Sequence, residues 1–162
     1  MTPDRPPPRS AEEQERLHAA LIDLFEKRIT FNSVLGLKVI SLDPRDVRLA
    51  FPMKPELVGH YQSGRLHGGA ISATLDAAGG FAVMLAIADH HADESAMEVM
   101  HRFARLGTID LRIDYLRQGL GRSFEARCEV TRLGGRVSSV LSRLFNDEGT
   151  LIATSAAAYI IS

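Results

Sequence analysis

Leu66-His67-Gly68-Gly69, running into AISATLDAAGGFAVMLAIA over residues 70–88, is the stretch from which the fold is read. From Ala70 onward the run is apolar on every side, which allows a helix buried all round or a membrane span. The span fails at Asp76. A carboxylate at the middle of a span costs about 3 kcal/mol on insertion scales, and Ser72, Thr74 and two glycines weaken the segment further. Ala73, Ala77 and Gly80 fall at helical spacing and let a sheet or a second helix approach the backbone closely. The stretch is therefore a core helix, with Gly68 and Gly69 just ahead of it.

On either side of this helix the chain offers one domain's worth of elements. At 162 residues it can bury about two thirds of the surface its unfolded form exposes. Upstream, the proline cluster of residues 1–9 reads as a disordered or polyproline-like tail without the apolar core of a signal peptide. Ser10 and Glu13 have capping-box spacing, and Leu17, Leu21, Leu24 and Phe25 share a face, so residues 10–29 hold an amphipathic helix. The remaining domain covers residues 30–162. It begins with a helical turn over 30–35 closed by Gly36 and a hairpin of strands 37–42 and 47–53 around Asp43-Pro44-Arg45-Asp46. Pro52 and Pro55 point to an edge strand or an exit from the sheet. Residues 56–65 read as a polar loop.

Downstream, Met97, Met100, Phe103 and Leu106 recur among charges as the apolar face of a short helix. Ile109, Leu111, Ile113 and Tyr115 then alternate with charges, as do Phe124, Ala126, Cys128 and Val130, which marks two half-buried strands. Turn signals at Gly134-Gly135 and Asn146-Asp147-Glu148-Gly149 separate two more, near 136–145 and 150–160. The class is α+β, an antiparallel sheet wrapped around the long central helix, because only that helix is apolar enough to cover the sheet's inner face.

Composition narrows the partners. A formal charge of −1 supplies no basic field for nucleic acid or an anionic membrane. Cys128 is the only cysteine, which excludes an internal disulfide and fits a reducing, cytoplasmic setting. His90, His91 and His101 lie near acidic residues but lack metal-ligand spacing, so no metal site is expected.

Chemistry concentrates at Asp76 and the glycines. A carboxylate entering a core needs a partner, and N–H groups at the positive end of a helix suit an oxyanion. Gly68 and Asp76 are eight residues apart, about 12 Å along one helix, too far for one carbonyl to touch both. Two copies packed antiparallel about a two-fold axis would bring Asp76 of one near Gly68 of the other.

His67-Gly68-Gly69 with Asp76 nine positions after the histidine, Phe31-Asn32 with Leu35-Gly36, and residues 107–117 (GTIDLRIDYLR) together resemble the hotdog-fold acyl-CoA thioesterases of the phenylacetate-pathway type. They are most similar to a bacterial branch acting on medium- and long-chain acyl-CoA. The resemblance implies a hotdog fold, a homodimer or a pair of dimers, and hydrolysis of acyl-CoA to free acid and coenzyme A without a cofactor. It implies that the Gly68 N–H polarises the thioester oxygen. Asp76 of the facing subunit would act as general base or as nucleophile, and both remain open. Thr108 falls where relatives carry a water-positioning hydroxyl, and His67 fixes the loop. Relatives with an asparagine six or seven positions before the histidine use it on the thioester oxygen; here His60 and Tyr61 stand there, with Gln62 adjacent, so the second oxyanion donor is open among the three. Asn32 and Gly69 complete the expected substrate contacts.

Arg117 and Arg136, with Arg65 and Arg122, are candidates for the coenzyme phosphates. The methionines and Phe103 after the central helix are candidates to line an acyl tunnel or to form a surface helix. Two other readings compete with hydrolysis. A non-catalytic acyl-CoA sensor needs no Asp76, and a hydratase needs a paired histidine and acid that the core lacks.

Overall fold

The structure is a computed structural model that describes residues 7–162. Most of the proline-rich tail lies outside the described residues; within its last positions, Arg9 is held, its guanidinium donating to the carbonyls of Ala88 and His91. α1 (Ala11–Asp23) starts at Ser10, whose hydroxyl accepts the Glu13 N–H at 3.2 Å, and buries Leu17 and Leu21. The helix does not continue as an α-helix. Residues Leu24–Arg28 form a π-helical turn, in which the Ile29 N–H donates to the Leu24 carbonyl at 2.9 Å. α2 (Thr30–Leu35) follows and ends at Gly36, whose φ of 77° is the left-handed closure of a helix.

The strands β1 (Lys38–Ser41) and β2 (Val47–Pro52) make the expected hairpin. Pro52 marks the end of its strand, yet β2 is not an edge: it lies between β1 and a later strand, and β1 holds the edge. The stretch expected as a loop carries structure. A 3-10 turn at Pro55–Leu57 leads into β3 (Val58–His60), which pairs with β4 (Arg65–Leu66). Buried Leu57 and Leu66 anchor this ribbon, two apolar residues too far apart in sequence to show a strand period.

α3 (Gly68–His90) is the central helix. It begins two residues earlier than expected, since His67 caps it and the glycines form its first turn. It is the one helix among the described residues long and apolar enough to cross a membrane, but 67% of that apolar window is buried inside the fold. α4 (Ala96–Arg102) and a 3-10 turn (Phe103–Arg105) follow. The buried face of α4 is Ala96 and Val99 rather than Met97, which is 80% exposed.

Four long strands complete the sheet: β5 (Gly107–Tyr115), β6 (Ser123–Leu133), β7 (Val137–Asn146) and β8 (Leu151–Ile160). All pairings are antiparallel, in the order β1-β2-β6-β7-β8-β5. Leu49, Phe51, Phe124, Ala126, Val140, Leu144 and Ile152 turn inward toward Leu75, Ala78 and Ala82 of α3. Burial pushes the Cys128 thiol up to about 12, as befits a core position. The fold is α+β, a sheet curled on a long helix, as the alternation predicts. β5 is the sheet's other edge, and Ile109 and Tyr115 on it are more than half exposed.

Candidate active site

Asp76 sits in the middle of α3 facing the start of β5. There the register between β5 and β8 slips: Thr108 pairs with Tyr159 but Asp110 pairs with Ala158, so Ile109 is an extra residue. Such a bulge re-aims the side chains beside it. Strict alternation would leave Thr108 on the face opposite Leu111 and Ile113; the bulge turns it to the helix and sends Ile109 outward. The Thr108 hydroxyl donates to Asp76 Oδ1 at 2.7 Å.

A second hydroxyl grips the same residue through its backbone. Tyr159 Oη donates to the Asp76 carbonyl at 2.8 Å. This approach needs Gly79, because a Cβ there would stand 2.3 Å from Tyr159 Oη. Burial, with the Asp76 charge close by, pushes the Tyr159 phenol above the usual tyrosine range and keeps it a donor. The sequence reading missed Tyr159, which looks like any inward-facing strand aromatic; its signal is the glycine pair in an otherwise bulky buried helix.

Asp76 and Thr108 open on a cleft of about 280 Å³. Its apolar walls are Phe25, Ile29, Phe31, Met84 and Leu106. Of the segment after α3, Leu106 and Gly107 reach this cleft, whereas Met97 projects to solvent and Phe103 is packed in the core. Of the two alternatives this is the surface helix, because Ala96, Val99 and Phe103 form the face that docks. Asn32, a candidate substrate contact, borders the cleft but is 3% exposed, and its amide donates to the Phe25 carbonyl at 3.0 Å.

Gly68 lies elsewhere. It borders a separate cleft with Arg65, Arg117 and Tyr115, at the other end of β5 from Thr108. Tyr115 Oη donates to the Gly68 carbonyl at 3.1 Å, pinning the first turn of α3 to the sheet edge. The Gly69 N–H donates to Nδ1 of His67 at 2.8 Å. That bond corrects the assignment of Gly69 as a substrate donor: its N–H is occupied by the cap, whereas among the described residues the Gly68 N–H has no partner. One chain thus keeps its carboxylate and its free helix-end donor in different clefts.

The remaining candidates scatter. His60, Tyr61 and Gln62 sit on the β3–β4 ribbon; Tyr61 is 86% exposed, and His60 Nδ1 meets the Ser63 hydroxyl at 3.1 Å. Arg117 donates to the Leu151 carbonyl at 3.0 Å beside Gly68, and Arg122 pairs with Asp147. Arg136 is exposed at the β6–β7 turn, toward the opposite end of α3, so it does not join Arg117 within one chain. Near that end, Glu94 holds both Arg102 and His91, and among the described residues no group of histidine, cysteine and acidic side chains gathers for a metal.

Residues 63–153 match the thioesterase superfamily, and this span holds the helix cap, Gly68, Asp76 and Thr108 together. The chain belongs to the thioesterase superfamily. Among its relatives is the medium/long-chain acyl-CoA thioesterase YigI of Escherichia coli, 35% identical over 139 residues, which are 86% of this chain and 90% of that one. A thioesterase-superfamily protein from Shewanella oneidensis has a crystal structure that superposes with a TM-score of 0.87 at 34% identity, covering 95% of this chain and all of that one. A thioesterase family protein from Silicibacter pomeroyi, at 23% identity and a TM-score of 0.67 over 88% of this chain and 96% of that one, shares the fold. The superfamily match and the likeness to YigI make thioester cleavage the chemistry of this chain.

Proposed function

We propose that the protein hydrolyses medium- to long-chain acyl-CoA to a free acid and coenzyme A. The observation that carries this is the Thr108–Asp76 pair at the mouth of an apolar cleft: an oriented carboxylate beside a slot suited to an alkyl chain. The similarity to YigI supports acyl-CoA as the substrate. Asp76 acts either as general base, taking a proton from water as its oxygen attacks the carbonyl carbon, or as nucleophile, forming an anhydride that water then opens. In both courses the carbon–sulfur bond breaks and the departing thiolate takes up a proton.

The site is shared between two copies. In this reading the free β5 edges of two chains pair across a two-fold axis, which runs Gly107 of one copy toward Tyr115 of the other and carries Gly68 to the partner's Asp76. The Gly68 N–H then polarises the thioester oxygen, Arg65 and Arg117 beside it meet coenzyme phosphates, and His67 holds the helix end. The reaction needs no metal or redox cofactor, since the carboxylate supplies the base or the nucleophile. A single buried cysteine suits the cytoplasm. Thiol release from acyl-CoA of increasing chain length tests the reading, with Asp76→Ala losing at least about 100-fold. Binding of acyl-CoA without any thiol release would move the protein to the sensor class.

A further inference from the structure

Resting on that reading, we infer that the π-helical turn Leu24–Arg28, clamped by Asn32, is the gauge that sets which acyl chain lengths the cleft accepts, with Phe25 as its end wall. The cleft has a direction. Its mouth is exposed, with Phe31 58% accessible beside Thr108, and its depth is closed by Phe25 at 2%, Asn32 at 3% and Met84 at 9%. Phe25 is backed by Phe81 of α3, ring centre to ring centre 4.7 Å, so it cannot retreat without moving the central helix. A volume of about 280 Å³ holds on the order of ten methylene-sized groups, taking each as about the 30 Å³ of a water.

The π turn is what puts Phe25 there. In an α-helix the Ile29 N–H would bond the Phe25 carbonyl; here it bonds the Leu24 carbonyl instead. The Phe25 carbonyl, released from the helix ladder in a buried position, needs another donor. The Asn32 amide supplies it at 3.0 Å, and the Ser33 hydroxyl does the same for the next carbonyl, Glu26, at 2.9 Å. Glu26 in turn accepts from Lys38 and from the Val39 N–H, tying the turn to β1. Its carboxyl, which burial alone would raise, is held below the usual range by these partners. Asn32 is therefore a positioning residue: it fixes the turn that carries the wall and does not contact the thioester.

The test is the ratio of kcat/KM for hexadecanoyl-CoA to that for octanoyl-CoA. Phe25→Leu shortens the wall and Asn32→Leu unclamps it, and each is expected to raise this ratio at least about tenfold, the discrimination a methylene or two commands in an apolar pocket. Gly80→Ala adds a methyl at the cleft where a Cβ meets Tyr159 at an ordinary 3.6 Å, and should lower the ratio. Met97→Ala, on the exposed face of α4, should leave it unchanged. Ratios equal to wild type in folded Phe25→Leu and Asn32→Leu overturn the inference; if either fails to fold, an unshifted ratio in Gly80→Ala does so. If the wild type releases no thiol, the hydrolase reading fails separately, and calorimetric binding of free fatty acids of six to sixteen carbons reads the same cleft. Affinity that stops rising near ten carbons, at a shorter length in Gly80→Ala, upholds the gauge; affinity indifferent to length overturns it.

Discussion

The Thr108 hydroxyl donates to Asp76 Oδ1 at 2.7 Å only because Ile109 bulges out of the β5–β8 pairing. The bond leaves Oδ2 of the carboxylate for water. Thr108→Val, nearly the same size without the donor, should lower kcat for acyl-CoA about tenfold with little change in KM, and Thr108→Ser should restore most of it. Steady-state thiol release decides this, and a Val variant as fast as wild type removes Thr108 from the mechanism.

A shared site makes a sharper prediction. Gly68 is the first residue of α3, a position that suits proline, and His67 before it has the extended backbone (φ −67°, ψ 136°) that proline requires. Gly68→Pro thus deletes the free N–H while keeping the helix. Gly68→Pro and Asp76→Ala should each be nearly inactive alone. After the two are unfolded and refolded together, random pairing makes half of the dimers mixed, each with one intact site, so activity should return to about a quarter of wild type. Recovery of none would place both groups in one chain's site or neither.

Gly79 and Tyr159 should behave as one packing unit. Gly79→Ala puts a methyl 2.3 Å from Tyr159 Oη and should cost about 1–3 kcal/mol in chemical denaturation, as overpacking does. Tyr159→Phe, which removes the bond to the Asp76 carbonyl, should cost about 1 kcal/mol. The double variant should recover part of the sum, because removing the hydroxyl makes room for the methyl.

Alkaline stability follows from Cys128 and Tyr159. Both have folded pKa values raised by burial, the thiol from 9.0 to about 12, so the unfolded chain loses its protons first. Their contribution is fully present below pH 9 and is lost as pH climbs from about 9 toward 12. Denaturation midpoints across that window should fall, and Cys128→Ala should fall less steeply. In the folded protein the thiol should resist alkylation at pH 8, where the unfolded chain reacts.

How much of this was written in the chain differs from residue to residue. The buried helix, the inward alternation of the long strands, the Gly36 stop and the anomaly of Asp76 were all legible, because each rests on a local period, a backbone requirement or one residue's solvation. The 12 Å between Gly68 and Asp76 was likewise readable from helical rise alone, and the structure keeps those residues in separate clefts. Met97, Tyr159 and the Ile109 bulge were not legible. Helical phase depends on which neighbour docks first, a bulge depends on the register of a strand distant in sequence, and the partner of a buried hydroxyl is chosen by packing. The sequence by itself determined that a carboxylate stands at the middle of the helix around which the sheet curls. Only the tertiary structure decided that Thr108 orients it and that Phe25, carried on a π turn, closes the cleft beside it, since both depend on contacts between elements that no local period encodes.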